Sequence, residues 1–195
     1  MVAAAATAAT LILRFNVSEI IFTGVAGAIS PALNVGDIVV AKRLIQHDLD
    51  GRPLTKEFEI PLLGVQYLET HPETLLRAVN AIQSLLDSSR LTEAIGDKEL
   101  QKFCIVKPKL VVGDIASGDK FFADSAEKDQ LLQKLPDVQC VEMEGAAVAQ
   151  VCYEYDVPFT VIRTISDTAD ESSHIDFQAF IEKVANLYSR EIVLA

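Results

Sequence analysis

Positive charge is in short supply in this chain. Seventeen lysines and arginines stand against 28 acids, a formal net charge of −11. A nucleic-acid backbone or an anionic membrane surface selects a basic face that can release counterions or attract lipid, so the expectation is no nucleic acid and no membrane as partner. A neutral or cationic small molecule fits better. Long apolar runs are missing too: none reaches the roughly 20 residues that span a bilayer, although half of the chain is hydrophobic. The opening stretch from Met1 to Arg14 has no lysine or arginine ahead of its apolar run and is closed by Arg14, so it reads as a buried amphipathic helix rather than a secretion signal. Metal-ligand residues are few. Three cysteines, Cys104, Cys140 and Cys152, are widely spaced, form no CxxC pair, and have only three histidines beside them. No metal and no cofactor are expected, and the cysteines read as reduced core residues of a cytoplasmic protein.

What is present is a single α/β domain over residues 1–195, long enough for one sizeable core. The strand-like runs are Glu19–Phe22, Ile38–Ala41, Leu110–Ala116, Val138–Val141 and Val157–Ile162. Helical spacing marks Val2–Leu13, Pro72–Leu86, Ser125–Leu135, Gly145–Tyr155 and Phe177–Leu194. Thr92–Lys102 lacks strong periodicity and reads as a mobile connection or a short helix. A polar, turn-rich excursion from Gln46 to Leu62 is too long for a simple connection. In it His47 sits beside Asp48, but with no serine or cysteine nucleophile at hand a structural, hydrogen-bonded histidine is expected.

Three strand ends carry chemistry-bearing residues. Thr23-Gly24-Val25-Ala26-Gly27-Ala28 is a ligand-cradling turn or a plain tight one, and it lacks the GxGxxG spacing of a dinucleotide site. Val141-Glu142-Met143-Glu144-Gly145 turns from a strand into a helix; its acids either answer the helix dipole or meet a ligand beyond the strand end. Arg163-Thr164-Ile165-Ser166-Asp167 ends the next strand. A single helix between the last two suggests a right-handed βαβ unit, with Glu144 and Asp167 at the ends of neighbouring parallel strands. Ser117-Gly118-Asp119-Lys120-Phe121-Phe122 brings two aromatics to a further strand end, for stacking on a flat base or for the core.

Taken together, Thr23–Gly27, Val141–Glu144 and the run Ile165-Ser166-Asp167-Thr168-Ala169-Asp170 resemble the 5'-methylthioadenosine/S-adenosylhomocysteine nucleosidases of the nucleoside phosphorylase superfamily. The resemblance extends to Val35–Val40, His47-Asp48, Ser117–Asp119 with Phe121, and Ser173-His174 with Phe177. It implies a three-layer α/β/α fold with a mixed, mostly parallel central sheet, and hydrolysis of an N-glycosidic bond to release adenine from an adenine nucleoside. Such a bond breaks through an oxocarbenium-like state, which needs an acid for the leaving base and carboxylates near the sugar.

Carried onto this sequence, the resemblance makes Asp167 the acid to N7 of adenine, oriented by Ser166. Glu144 holds the ribose hydroxyls, Met143 packs under the sugar and Glu142 supports the corner. Phe121 stacks on adenine, the Phe122 backbone reads its edge, Phe177 closes the pocket, Val25, Ala26 and Gly27 line it, and Arg163 supports it. A homodimer is implied as well. Family members also carry a front segment, a strand and about 50 further residues, holding a glutamate that activates water. The expectation is therefore an N-terminally truncated family fold with low activity on its own. The alternatives are a purine nucleoside phosphorylase and a non-catalytic nucleoside-binding module.

Overall fold

The computed structural model describes residues 1–122, 124–168 and 177–195. Helix α1 (Val2–Phe15) stops at Asn16, whose left-handed backbone (φ 51°) lets its N–H close back on the Ile12 carbonyl. Strand β1 (Ile20–Ala28) follows. It is longer than expected: the glycine-rich segment taken from sequence as a turn remains strand through Gly27, because parallel pairing to β6 continues to Asp167. β2 (Ile38–Gln46) likewise outruns its apolar stretch, and a short β3 (Tyr67–Glu69) pairs with it. His71 caps α2 (Pro72–Leu86), with Nδ1 accepting from the Glu73 N–H at 3.4 Å. The aperiodic stretch is two short helices, α3 (Arg90–Ile95) and α4 (Asp97–Lys102), hinged at Gly96 with φ +87°. β4 (Leu110–Ser117), α5 (Ser125–Lys134, capped by Asp124), β5 (Val138–Glu142), α6 (Gly145–Glu154) and β6 (Phe159–Asp167) complete the alternating part. The C-terminal helix expected as one piece is α7 (Phe177–Phe180), a π-helical turn (Ile181–Ala185) and α8 (Asn186–Val193).

The sheet is mixed, in the order β3-β2-β4-β5-β1-β6, and an antiparallel pairing of β2 with β6 closes it on itself. β1 therefore lies between β5 and β6, so the strands ending at Glu142 and Asp167 are not the parallel neighbours expected. The long hydrogen-bonded pairings are nevertheless parallel: β1 with β6, β2 with β4, and β4 with β5. β6 is buried along its whole length, with β1 paired on one side, β2 on the other and a buried cluster on each face.

One buried cluster packs α1 and α6 against one side of the sheet, with Ala146, Ala149 and Cys152 bringing the helix close. A second packs α2, α3 and the C-terminal helices against the other side around Ile82, Phe180 and Tyr188. Cys140 and Cys152 are buried, but Cys104 is exposed at a positive-φ position (φ 56°), against the expectation of a core residue. No described helix is long and apolar enough to cross a membrane.

Candidate active site

The closure of the sheet brings the ends of β1, β4, β5 and β6 around one cavity of about 190 Å³. Val25, Ala26 and Gly27 come from β1, Phe121 and Phe122 from the turn after β4, Glu142, Met143 and Glu144 from the β5 corner, and Ser166 and Asp167 from β6. Phe177, the first residue of α7, adds its ring 6.3 Å from that of Phe121 at 79°, so two edge-on aromatics flank the opening.

The corner is built from Glu142. Its carboxylate accepts from the backbone N–H groups of Glu144 (3.1 Å) and Gly145 (2.9 and 2.8 Å), the orphan donors at the start of α6. The Ser117 hydroxyl also donates to it, while Ser117 Oγ accepts from the Ala146 N–H at 2.8 Å. Arg163 donates through Nη2 at 2.6 Å and Nε at 3.2 Å. Both members of this ion pair have side chains 2% exposed. Burial alone would favour the protonated acid, yet the Arg163 charge and the converging hydrogen bonds outweigh it and hold the Glu142 pKa below its ordinary value.

Two residues on, the situation reverses. Glu144 opens onto the cavity, and partial burial of its carboxyl followed by the neighbouring Glu142 charge raises its pKa. Across the cavity Asp167 is buried, and Ser166 Oγ donates to its Oδ2 at 2.7 Å with the Ala26 carbonyl 3.3 Å away. The site thus offers a carboxyl fixed by a hydroxyl on one wall, a second carboxylate at the opposite corner, and aromatic surface between. That is the donor set for holding a polyol and a flat base while protonating the base.

A sequence profile of the phosphorylase superfamily matches residues 1–193. A 5'-methylthioadenosine/S-adenosylhomocysteine nucleosidase of Anoxybacillus flavithermus is 36% identical over 191 residues, covering 97% of this chain and 73% of that protein. The chain belongs to this nucleosidase family of the phosphorylase superfamily. Among solved structures, the nucleosidase of Colwellia psychrerythraea in complex with adenine superposes with a TM-score of 0.82 at 32% identity, over 99% of this chain and 72% of its own. A Helicobacter pylori structure described as futalosine hydrolase gives a TM-score of 0.74 at 34% identity, over 98% and 74%.

With the family in hand, the placement of each expected residue is clear. Asp167, Ser166, Glu144, Met143, Glu142, Phe121, Phe122, Phe177, Val25, Ala26 and Gly27 all line the one cavity. Arg163 does not. It is 1% exposed and lies behind Glu142, its Nη1 donating to the carbonyls of Phe22 (3.1 Å) and Ile162 (3.0 Å) and its guanidinium 4.4 Å over the Phe22 ring. A ligand can meet it only through Glu142. Gly24 packs closely beneath it: a Cβ there would sit 3.2 Å from Nη1, tight enough that the guanidinium would have to give slightly.

His47 also departs from expectation. Its Nε2 is buried without a hydrogen-bond partner. Three contributors went unassigned from sequence: Ser117, whose signal was a serine at the very end of a strand, Val141, which lines the cavity ahead of Glu142, and Lys120, which lines the cavity and pairs with Glu127 at 2.6 Å. Nothing in the pattern around Lys120 marked it. The expected contacts at Ala169-Asp170 and Ser173-His174 fall outside the described residues.

Proposed function

We propose that the chain hydrolyses the N-glycosidic bond of 5'-methylthioadenosine and S-adenosylhomocysteine, giving adenine and a 5-thioribose product. The observation that carries this reading is the meeting of Asp167, Glu144 and the Phe121–Phe177 aromatic pair in one cavity of a chain from the nucleosidase family. Asp167 passes a proton to N7 of the leaving adenine as the C1'–N9 bond breaks, Ser166 fixes the carboxyl for that transfer, and a water bonds to C1' and releases a proton to solvent, from which Asp167 is reprotonated. Glu144 accepts from the ribose hydroxyls and faces the positive charge that develops on the sugar ring. Met143 packs under the sugar, Phe121 stacks on the base, the Phe122 backbone reads its edge and Phe177 closes over it. Glu142, locked by Arg163 and Ser117, keeps the corner in register.

Incubating the chain with methylthioadenosine, S-adenosylhomocysteine or futalosine, with and without phosphate, tests the assignment. Base release from the two sulfur nucleosides, independent of phosphate and with free thioribose as co-product, is the expected result. A phosphate requirement with a sugar phosphate as product replaces it by the phosphorylase reading. Adenine binding with no product makes the chain a binding module, and preference for futalosine moves the substrate.

The same reading places the protein in the cytoplasm, in methionine salvage, as a homodimer. Free thiols and the absence of a spanning helix among the described residues are in keeping with the first. For the dimer, the excursion after β2 presents Leu54 (93% exposed) and Leu62 (104%) to solvent, more apolar surface than a loop needs. Light scattering at micromolar concentration decides it, with a monomer ruling it out.

A further inference from the structure

Three described side-chain atoms are buried without a hydrogen-bond partner, and one of them, His47 Nε2, belongs to a ring packed on a cavity-lining residue. His47 follows the last residue of β2, and its surroundings are the turn after β4. The His47 N–H donates to the Ser117 carbonyl at 2.9 Å, and the Gly118 N–H donates to the Glu142 carbonyl at 3.1 Å. The Asp119 N–H donates to Asp48 Oδ2 at 2.8 Å. These bonds pin the turn as far as Asp119. Beyond it, Lys120 makes a surface ion pair, Phe121 is 42% exposed, and Phe122 is buried with its ring edge-on to the imidazole, centroids 5.2 Å apart at 80°. The imidazole fills the space over Gly118 so closely that a Cβ there would lie 2.3 Å from Nε2 and 2.6 Å from Cε1.

We propose that His47 is a positioning residue, whose neutral ring, wedged between Gly118 and Phe122, sets the height of the Phe121–Phe122 platform against the base. The role of that platform rests on the function proposed above; the wedge itself does not. With its proton on Nδ1, the neutral ring leaves only a lone pair facing Gly118, whereas protonation turns that lone pair into a buried N–H with no hydrogen-bond acceptor in the closed turn. Burial is the largest influence and keeps the ring's pKa below its ordinary value of about 6.5. Of the charges facing it, Asp48 and Glu142 favour protonation and Lys120 opposes it. The closed turn therefore binds fewer protons than an open turn, in which His47 titrates near its ordinary value. Its stability is complete above that value and falls as the pH drops through about 6.5.

Amide hydrogen exchange over residues 117–122, corrected for chemical exchange, is the direct test, comparing the full chain at about pH 7.5 and about pH 5. In the wild type the segment should exchange several-fold faster at the lower pH, because only the open turn takes up the proton freely. In His47→Gln the two corrected rates should agree within about twofold on the same scale. The wild type also gives a measurement that needs no variant: the opening must begin to rise as the pH falls through about 6.5 and level off once the closed-state His47 ring, followed by NMR, has taken up its proton. An unchanged exchange rate in the wild type, an opening that goes on rising below the titration of the ring, or an equal pH response in His47→Gln each overturns the proposal. Adenine affinity, measured in parallel, should weaken on the acid side in the wild type and not in the variant. A complete lack of adenine binding at every pH would count against the proposed function and leave the exchange result to judge the wedge.

Discussion

The inner and outer faces of the β5–α6 corner carry the same functional group two residues apart and treat it in opposite ways. On the inner face, both carboxylate oxygens of Glu142 accept hydrogen bonds, from Arg163, Ser117 and the start of α6, and its pKa is lowered despite deep burial. On the outer face Glu144, with only partial burial and a like charge for company, has its pKa raised. What separates them is the number of donors aimed at the charged form rather than depth below the surface. A charge that must hold a structure is saturated by the protein; one that must hold a ligand is left to be satisfied by it.

The largest test lies across the cavity from that corner. Asp167→Asn keeps shape and polarity while deleting a proton donor, so hydrolysis should fall by about 100-fold to 10,000-fold. Adenine affinity should change little, and a calorimetric titration beside the rate assay reads both. Near-normal turnover in the variant would remove Asp167 from the acid's role.

Arg163→Met leaves Glu142 as an uncompensated buried charge, which typically costs about 3–5 kcal/mol. The denaturant midpoint should drop accordingly. Glu144→Gln should show the reverse signature, with unfolding unchanged within about 0.5 kcal/mol and affinity for ribonucleosides reduced more than for their 2'-deoxy analogues. If both substitutions moved stability alike, the contrast between the two faces would collapse.

A smaller effect separates the faces by pH. Because the Glu144 pKa lies above its ordinary value and that of Glu142 below, Glu144 takes up its proton first as the pH falls. The preference for ribo over 2'-deoxyribo ligands should fade on the acid side before the fold loosens. Glu142 contributes stability that is present above the ordinary glutamate value and is lost as the pH falls through its lower folded value. Binding of the ligand pair and thermal unfolding, followed over the same pH series, would show the two events in that order. Coincident transitions would argue against it.

Much of this was legible in the sequence because it is written locally. Apolar runs gave β2, β4 and β6 their cores, Pro72 and Asp124 marked helix starts, and the corner acids announced themselves at a strand end. Closure of the sheet was not legible, since pairing of Ile38–Val40 with Ile162–Thr164 depends on residues more than a hundred positions apart. For the same reason β1 could not be seen to intervene between β5 and β6, or to run as strand through Gly24 and Gly27. His47 misled in another way: a histidine next to an aspartate suggests a bonded pair, but Asp48 Oδ2 accepts from the Asp119 N–H and His47 Nε2 has no hydrogen-bond partner. Arg163 was expected to support the site; it stands behind Glu142 and touches the cavity wall only through that carboxylate.

The antiparallel joint between β2 and β6 runs on past the strands themselves, for the Ile165 N–H donates to the Asp37 carbonyl and the Gly36 N–H donates to that of Ile165, both at 2.8 Å. Gly36 takes a φ of +90° to make that return, and a Cβ there would strike the Ile105 side chain at 2.8 Å. The backbone two residues before Asp167 is therefore riveted to the start of a different strand. Domain closure by hinging is not open to such a frame, because separating β6 from β2 would tear a ladder of backbone bonds. Motion that accompanies catalysis must be confined to what hangs from the rim, so opening of the site is an affair of side chains and short turns, on the timescale of rotamers and loops rather than of whole strands.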